Sequence, residues 1–304
     1  MIPRGPLIVV LIVIELAILG GMVRAVRGGS PAPSFVSHTD PVPASLVPGQ
    51  FVEGGAHKTF DTGAHPALIV DIGYADLTIL ARAGSQMDAG VSKSEMFGVF
   101  RATAPITAQQ DGATLRIAKT HDDGFSMGDD RMVTVLVPPG TDVTVVNAGD
   151  IKVTGLRGNA SIKGVGNGSV TVVDYDAPML HVETSNGHIS LHRVVTARLD
   201  ADTSNGAIEG TGLQVHDGNV VTSNDHVSLG FAAGTDTLVT AETSNGTVRT
   251  AGFPASSATA THADASDDDD DDDGPSSQTL RIGAGTGRLD VHSSNGNIDL
   301  SQEG

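Results

Sequence analysis

Thr184-Ser185-Asn186-Gly187-His188-Ile189 decides the fold, because the chain returns to it. The string T-S-N-G-x-[IV] recurs at 203–208 and 243–248, at 222–227 with Asp225 in place of glycine, and at 293–298 with serine in place of the first threonine. Two degenerate copies come earlier, VNAGDI at 146–151 and VGNGSV at 165–170. Aligned on the glycine column, the positions are Gly149, Gly168, Gly187, Gly206, Asp225, Gly246 and Gly296, separated by 19, 19, 19, 19, 21 and 50 residues. Internal repetition at a fixed period is the signature of a stacked array.

The columns beside the glycine share its regularity. Two residues after it stand Ile151, Val170, Ile189, Ile208, Val227, Val248 and Ile298; seven after it stand Leu156, Tyr175, Val194, Leu213 and Ala232. Before it, Leu180 and Val182, Leu199 and Ala201, and Leu289 and Val291 alternate with polar residues, the period of a half-buried strand. Each repeat therefore reads as a strand, an Asn-Gly corner, a second short strand and a further turn. The length is too short for a propeller blade, and the leucine-rich and nine-residue calcium consensus patterns are absent. The pattern predicts an all-β, single-domain parallel β-solenoid, a β-helix whose ~19-residue coils bury their faces only by stacking. Asparagine and glycine suit the corner because both tolerate the left-handed backbone region. At the ~4.8 Å strand spacing, Asn167, Asn186, Asn205, Asn224, Asn245 and Asn295 line up as an amide ladder, with Thr184, Thr203, Thr222 and Thr243 beside it. Both ladders read as corner-building elements. Residues 67–135 carry alternating strands without the motif and read as irregular coils covering the N-terminal end of the stack, with the whole domain spanning 67–304.

The TSNGxI repeats, the ending Leu289-Asp290-Val291-His292-Ser293-Ser294-Asn295-Gly296-Asn297-Ile298 and an apolar N-terminal segment resemble the bacterial "putative adhesin" family of repeat-β-strand domains of unknown function. The resemblance covers roughly residues 67–304. It implies surface attachment and a repeat-β fold, and it brings no catalytic residues. Asp225 and the long interval before Gly296 depart from the pattern.

The composition fits. The chain has 304 residues, a net charge of −18, no Cys, no Trp and 3% aromatic residues. Disulfides, thiolate metal sites and a cysteine nucleophile are excluded. Nucleic-acid binding is disfavoured, because phosphate neutralisation needs clustered Lys and Arg. The N-terminal 1–27 contain an apolar run from Leu7 to Val23 with one charge, Glu15, preceded by Arg4 and followed by Arg24 and Arg27. It reads as a signal anchor spanning the membrane, or as a cleaved secretory signal ending near Val23-Arg24-Ala25. Either way the remainder is exported: a single-pass membrane protein with an extracytoplasmic solenoid, or a periplasmic or secreted one. Residues 28–66 hold a Pro-rich spacer containing Pro31, Pro33, Pro41, Pro43 and Pro48.

About 30 residues are inserted between Gly246 and Gly296. The low-complexity part, 253–277, contains Asp267, Asp268, Asp269, Asp270, Asp271, Asp272 and Asp273, and with Asp264 carries eight negative charges. It reads as a solvated, disordered loop. Weak calcium binding by the aspartates is a second reading, although the glycine and spacing of an EF-hand loop are missing. A third places the acidic loop beside an open strand edge left by the last coil at Leu300, where it would repel end-to-end association.

For catalysis, Glu183 and Asp202 fall in one column on adjacent coils, near the carboxyl separation of retaining glycosidases; Glu242, Asp200 and Asp290 lie nearby in sequence phase. Alternation puts them on the outward face of a flat sheet, where a solvated acidic face is the plain reading. His181, His188, His192, His216, His226 and His292 are scattered, and His188 and His226 share a column two coils apart, too far to chelate one zinc ion. No serine sits in a G-x-S-x-G elbow, and the glycines of 282–287 lack the helix a dinucleotide site needs. The threonine column has buried parity, which argues against ice binding. The sequence thus supports a non-catalytic envelope module without cofactors, an adhesin, attachment or scaffold domain recognising an envelope protein or glycan. The alternatives are an envelope sensor or assembly protein that binds another protein, and a polysaccharide-active β-helix enzyme.

Overall fold

The computed structural model describes residues 58–93, 106–119, 131–254, 257–262 and 276–303. The expected membrane segment and the aspartate run lie outside the described residues. Within them regular structure is all β, and no helix is long and apolar enough to cross a membrane. In chain order the strands are β1 (Lys58–Asp61), β2 (Ala67–Gly73), β3 (Asp76–Ala81), β4 (Gln86–Lys93), β5 (Ile106–Asp111), β6 (Thr114–Lys119) and β7 (Arg131–Val137). Next come β8 (Asp142–Asn147), β9 (Ile151–Thr154), β10 (Ala160–Gly164), β11 (Val170–Asp176), β12 (Met179–Thr184), β13 (Ile189–Thr203) and β14 (Ile208–Thr222). The last are β15 (Val227–Phe231), β16 (Thr237–Thr243), β17 (Val248–Ala251), β18 (Ala258–His262), β19 (Ser276–Ile282), β20 (Gly287–Ser293) and β21 (Ile298–Gln302).

The strands before each corner form one stack, β5-β6-β2-β8-β10-β12-β13-β14-β20-β16-β19-β18. The strands after each corner form a second, β1-β4-β7-β3-β9-β11-β13-β14-β15-β21-β17. Strands β13 and β14 are long enough to contribute one half to each stack. The coil-to-coil pairings are parallel; antiparallel strands close both ends of the first stack and the β1 end of the second, whose other end is β17, parallel to β21. The two inner faces meet in one core of Val, Ile and Leu, among them Leu180, Val182, Ile189, Leu191 and Val194, all fully buried. Each such burial is worth about 1.5–3 kcal/mol.

The corner motif has a steric cause that differs from the expected one. None of the corner glycines has positive φ. A Cβ on Gly187 would instead stand 1.9 Å from the carbonyl oxygen of Gly168, one on Gly206 2.0 Å from that of Gly187, and one on Gly296 1.9 Å from that of Asp225. At these corners glycine is favoured because each rests directly on the backbone of the one beneath; the fifth corner carries Asp225 instead. The buried threonine hydroxyl then donates to the carbonyl thus brought near: Thr184 to Gly168 (3.2 Å), Thr203 to Gly187 (3.1 Å), Thr222 to Gly206 (2.9 Å), and Thr243 to Gly296 (2.8 Å). The asparagine amides bond in series outside it. Left-handed residues occupy another column, six after the corner: Gly155, Asp174, Arg193 and Gly212. They turn the chain so that Leu156, Tyr175, Val194 and Leu213 point inward. The fifth coil lacks this turn. Its register shifts, and Phe231 rather than Ala232 fills the column opposite Leu213.

The order of the coils is not the order of the chain. β20 pairs with β14 on one side and β16 on the other, and β21 lies between β15 and β17. The coil expected to leave an open edge at Leu300 is therefore held on both sides, which removes the premise of an acidic loop guarding that edge. At the other end, β2 and β3 lie between β6 and β7 on one side and β8 and β9 on the other. Residues 67–81 thus belong to the interior of the stack rather than to its cover. Two connections step over these inserted coils, 138–141 and 232–236. Both contain a x-x-Gly-Thr turn in which the threonine hydroxyl and N–H donate back to the first carbonyl: Thr141 to Pro138 and Thr235 to Ala232. The 21-residue interval before Gly246 is longer because this turn climbs two strand spacings instead of one.

The flanking segments are also more ordered than the sequence suggested. β1 falls within the expected spacer 28–66, pairs with β4 and buries Phe60. Within 253–277, β18 pairs antiparallel with β19, and β19 with β16.

Two outcomes follow. Gly187→Ala is expected to cost about 2–3 kcal/mol or more in urea unfolding through backbone overpacking, whereas Arg193→Gly leaves the urea midpoint close to the parent's because relief of left-handed strain offsets a lost surface ion pair. Deleting 287–304 should abolish hydrogen-exchange protection in β14, β15, β16 and β17 together, since both walls of the slot lose their partner; protection persisting there would contradict the interleaved order.

Candidate functional site

The most structured feature outside the core is the outward face of the first stack. Register places Ser161, His181, Asp200, Asn219, Asp290 and Thr240 in one row across the coils, and Lys163, Glu183, Asp202, Val221, His292 and Glu242 in another. Period-2 alternation turns all of them away from the core. Lys163 Nζ contacts both carboxylate oxygens of Glu183 at 2.7 and 2.9 Å. Arg198 grips Asp200 through Nε and Nη2 at 2.7 and 3.0 Å. Arg288 Nε lies 3.1 Å from each oxygen of Asp290. Asn219 donates to Asp200 at 3.2 Å.

At the edge of this face where the strands begin is an open depression of about 370 Å³ lined by Arg198, Asp217, Gly218, Asn219, Arg288 and Asp290. Gly218 forms its floor: φ is +146°, and a Cβ would lie 1.8 Å from the carbonyl oxygen of Leu199. Asp217 stands between the two arginine-bearing strands. It accepts the Arg288 N–H at 2.8 Å and faces His216 Nδ1 at 2.7 Å. The His216 hydrogen bond, followed by that of the Arg288 backbone, holds the Asp217 carboxyl below its ordinary value. Asp200 raises the already high pKa of Arg198, and Asp290 that of Arg288. Both arginine side chains remain more than half exposed, and the orientation of their guanidinium groups is set by neighbouring carboxylates.

Sequence reasoning missed this site because Arg288 and Asp290 meet Arg198 and Asp217 only through insertion of the last coil. Sequential stacking would have put Leu238 beside Asp217. Local arginine-x-aspartate spacing on both strands (Arg198 with Asp200, Arg288 with Asp290) was the one available signal. Glu183 and Asp202 are indeed register partners, but Lys163 engages Glu183, and the row runs along an open face. His188 and His226 share a column with Ala207 between them. His188 Nδ1 accepts the Ala207 N–H at 3.2 Å, which makes it a corner element. Asp150 and Asn297 do the same for Ser169 and Thr247. His226 bridges Asp225 and Glu209. Burial works against ionisation of Asp225, but hydrogen bonds from the His226 backbone and ring outweigh it and hold this carboxyl low. Among the described residues no group of three or more His, Asp or Glu side chains is placed to hold a metal ion. The calcium candidates Asp267 to Asp273 lie outside them.

A family model described as Toastrack DUF4097 matches residues 67–301. Three solved bacterial structures resemble the chain, each at 11% identity. One is named a putative adhesin from Bacteroides fragilis, with a TM-score of 0.48, covering 84% of this chain and 99% of its own. Another is a putative cell adhesion protein from Clostridium sporogenes, with a TM-score of 0.35 and coverages of 82% and 100%. The third is a putative lipid binding protein from Parabacteroides distasonis, with a TM-score of 0.31 and coverages of 84% and 98%. No curated protein matches the chain.

Acid should loosen the seating of the last coil. Asp217 bonds the Arg288 N–H, and Asp236 accepts from the N–H groups of Gly285 and Thr286 and from the Thr286 hydroxyl. Side-chain hydrogen bonding from Thr286 and backbone hydrogen bonding hold Asp236 below its ordinary 3.8. A carboxyl whose folded value is depressed contributes stability above its unfolded value and loses it as pH falls through the folded one. The urea midpoint should therefore fall between about pH 5 and about pH 2, less steeply in Asp236→Asn; equal slopes in both proteins would refute that contribution.

Proposed function

Because the chain belongs to the Toastrack DUF4097 family, we propose that it is an exported, membrane-anchored β-solenoid that serves the cell envelope as a non-catalytic attachment and scaffold module. The observation that carries this reading is the flat row of oriented charges centred on Arg198, Asp217, Arg288 and Asp290. Enzymes that act on small molecules typically enclose them in deep, mostly apolar pockets. Here the depression is open and polar, and its guanidinium and carboxylate groups are already fixed by strand register. Such a face suits a broad polar partner surface, with charge pattern setting orientation and choice. The apolar run 7–23 would hold the domain at the membrane.

The polysaccharide-active alternative needs two carboxyls free to act as acid and nucleophile on opposite sides of a bound sugar. The engagement of Glu183 by Lys163 weighs against it. A sensor or assembly role would use the same face with a protein ligand, whereas an adhesin could use it with a glycan.

The test is affinity capture with the full-length protein in detergent, read by cross-linking to envelope proteins and by a glycan array. The expected result is one saturable partner class whose retention falls at least ~tenfold in Arg198→Glu/Arg288→Glu, while the opposite-face change Thr171→Glu leaves it intact. Capture that ignores the double substitution would overturn the assignment to this face. Turnover of a polysaccharide lost in Glu183→Gln would overturn the non-catalytic reading.

A further inference from the structure

The corner ladder also defines a site of chemical modification. Four of its asparagines, Asn186, Asn205, Asn245 and Asn295, sit in x-Ser-Asn-Gly-x sequences of similar local chemistry, and Asn167 precedes Gly168. An Asn-Gly pair can cyclise. The backbone nitrogen of the glycine attacks Cγ of the asparagine, the Cγ–Nδ2 bond breaks, and ammonia leaves. Water then opens the five-membered imide at either carbonyl to give aspartate or isoaspartate. The glycine is favourable because it offers little steric obstruction to the ring. In an unfolded chain the four Ser-Asn-Gly sites would react at similar rates.

The fold makes them unequal. Asn186 donates to Asn167 Oδ1 at 3.1 Å, Asn205 to Asn186 at 2.6 Å, Asn224 to Asn205 at 2.6 Å, Asn295 to Asn224 at 2.9 Å and Asn245 to Asn295 at 2.8 Å. Every carbonyl from Asn167 through Asn295 thus accepts a bond from the next amide. Asn245 is the last member, because its coil is the outermost one to carry the motif: among the described residues β17 pairs with β21 alone. Its amide nitrogen is tied to Asn295, and no further asparagine stands beyond it to hold Oδ1. A second difference points the same way. Gly168, Gly187 and Gly206 are buried beneath their corners, whereas Gly246 is half-exposed. The nucleophile at position 246 is therefore more open to the base that removes its proton, and among the described residues the side chain it attacks is held through its amide nitrogen alone. Gly296 is also half-exposed, but the Asn295 carbonyl is bonded.

We propose that Asn245 is the preferential deamidation site of the folded protein, and that the amide ladder protects the interior Asn-Gly pairs. Conversion places a negative charge against Asn295 Oδ1 and removes the donor that held it. Isoaspartate also adds a methylene to the backbone of the outermost corner. The site is thus a point at which ageing alters one end of the stack before the rest.

The experiment is peptide mapping by mass spectrometry of the full-length protein held at mildly alkaline pH, folded and in denaturant. Expected is conversion at 245 at least ~threefold faster than at 186 and 205 in the folded state, collapsing to similar rates in denaturant, as local protection requires. Asn245→Ala, an exposed change outside the core, makes Asn295 the terminal member and should raise conversion at 295 above its rate in the parent. Equal folded-state rates at 186, 205 and 245, or no increase at 295 in the variant, would overturn the proposal.

Discussion

The contact on which everything else rests is between the Cα of each corner glycine and the carbonyl oxygen of the corner below. With no Cβ in the way, the corners approach until a buried threonine hydroxyl can reach that same carbonyl. The approach lines up strand with strand on both sides of the corner, so the parallel pairings, the inward columns and the amide ladder follow from one steric allowance repeated along the stack. Asp225 is the exception. It presents a carboxylate where the others present hydrogen, and spends it on the N–H and ring of His226. Gly296, from the end of the chain, is the glycine that rests on it.

That last contact leads to the second organising fact, the interleaving of the terminal coils. A solenoid whose coils followed chain order would end in an unpaired coil and a bare pair of strand edges. Here antiparallel strands take both ends of the first stack and one end of the second, whose other described end is β17, and the coils that come first and last in the chain among those bearing the motif are enclosed. The two x-x-Gly-Thr turns make the arrangement possible by climbing past a slot that another part of the chain fills. The charged depression is a by-product of that filling. Its arginines belong to strands about 90 residues apart in sequence, and Gly218, pressed against β13, leaves the space between them.

Much of this was legible beforehand. Alternation around Leu180 and Val182 told inward from outward faces, and the glycine column told coil from coil. It placed Glu183 beside Asp202 and put Ala207 between His188 and His226. The missing aromatic residues are intelligible in the same terms, since a narrow core between closely spaced coils is filled by Val, Ile and Leu, with Tyr175 and Phe231 as its large members. Other features were not legible. The glycines were assigned to backbone freedom because a sequence shows what a residue permits locally and not what lies within 2 Å of it. The left-handed column passed unnoticed because two of its members, Asp174 and Arg193, are not residues that announce such a turn; a salt bridge between them accompanies the strained backbone.

The sequence by itself determined the coil: its period, its corner, the parity of its strands and the side chains that fill it. These follow from short-range rules, alternation along a strand and close approach at a glycine, which a repeated string records directly. Only the tertiary structure decided which coil lies on which. The motif-bearing coils present nearly the same hydroxyl, asparagine and corner residue to their neighbours, so the motif is equally satisfied by a sequential or an interleaved stack. The choice depends on turns long enough to skip a place and on antiparallel strands able to occupy the ends. Those are non-local pairings, and the charged face built from Arg198, Asp217 and Arg288 exists because of them.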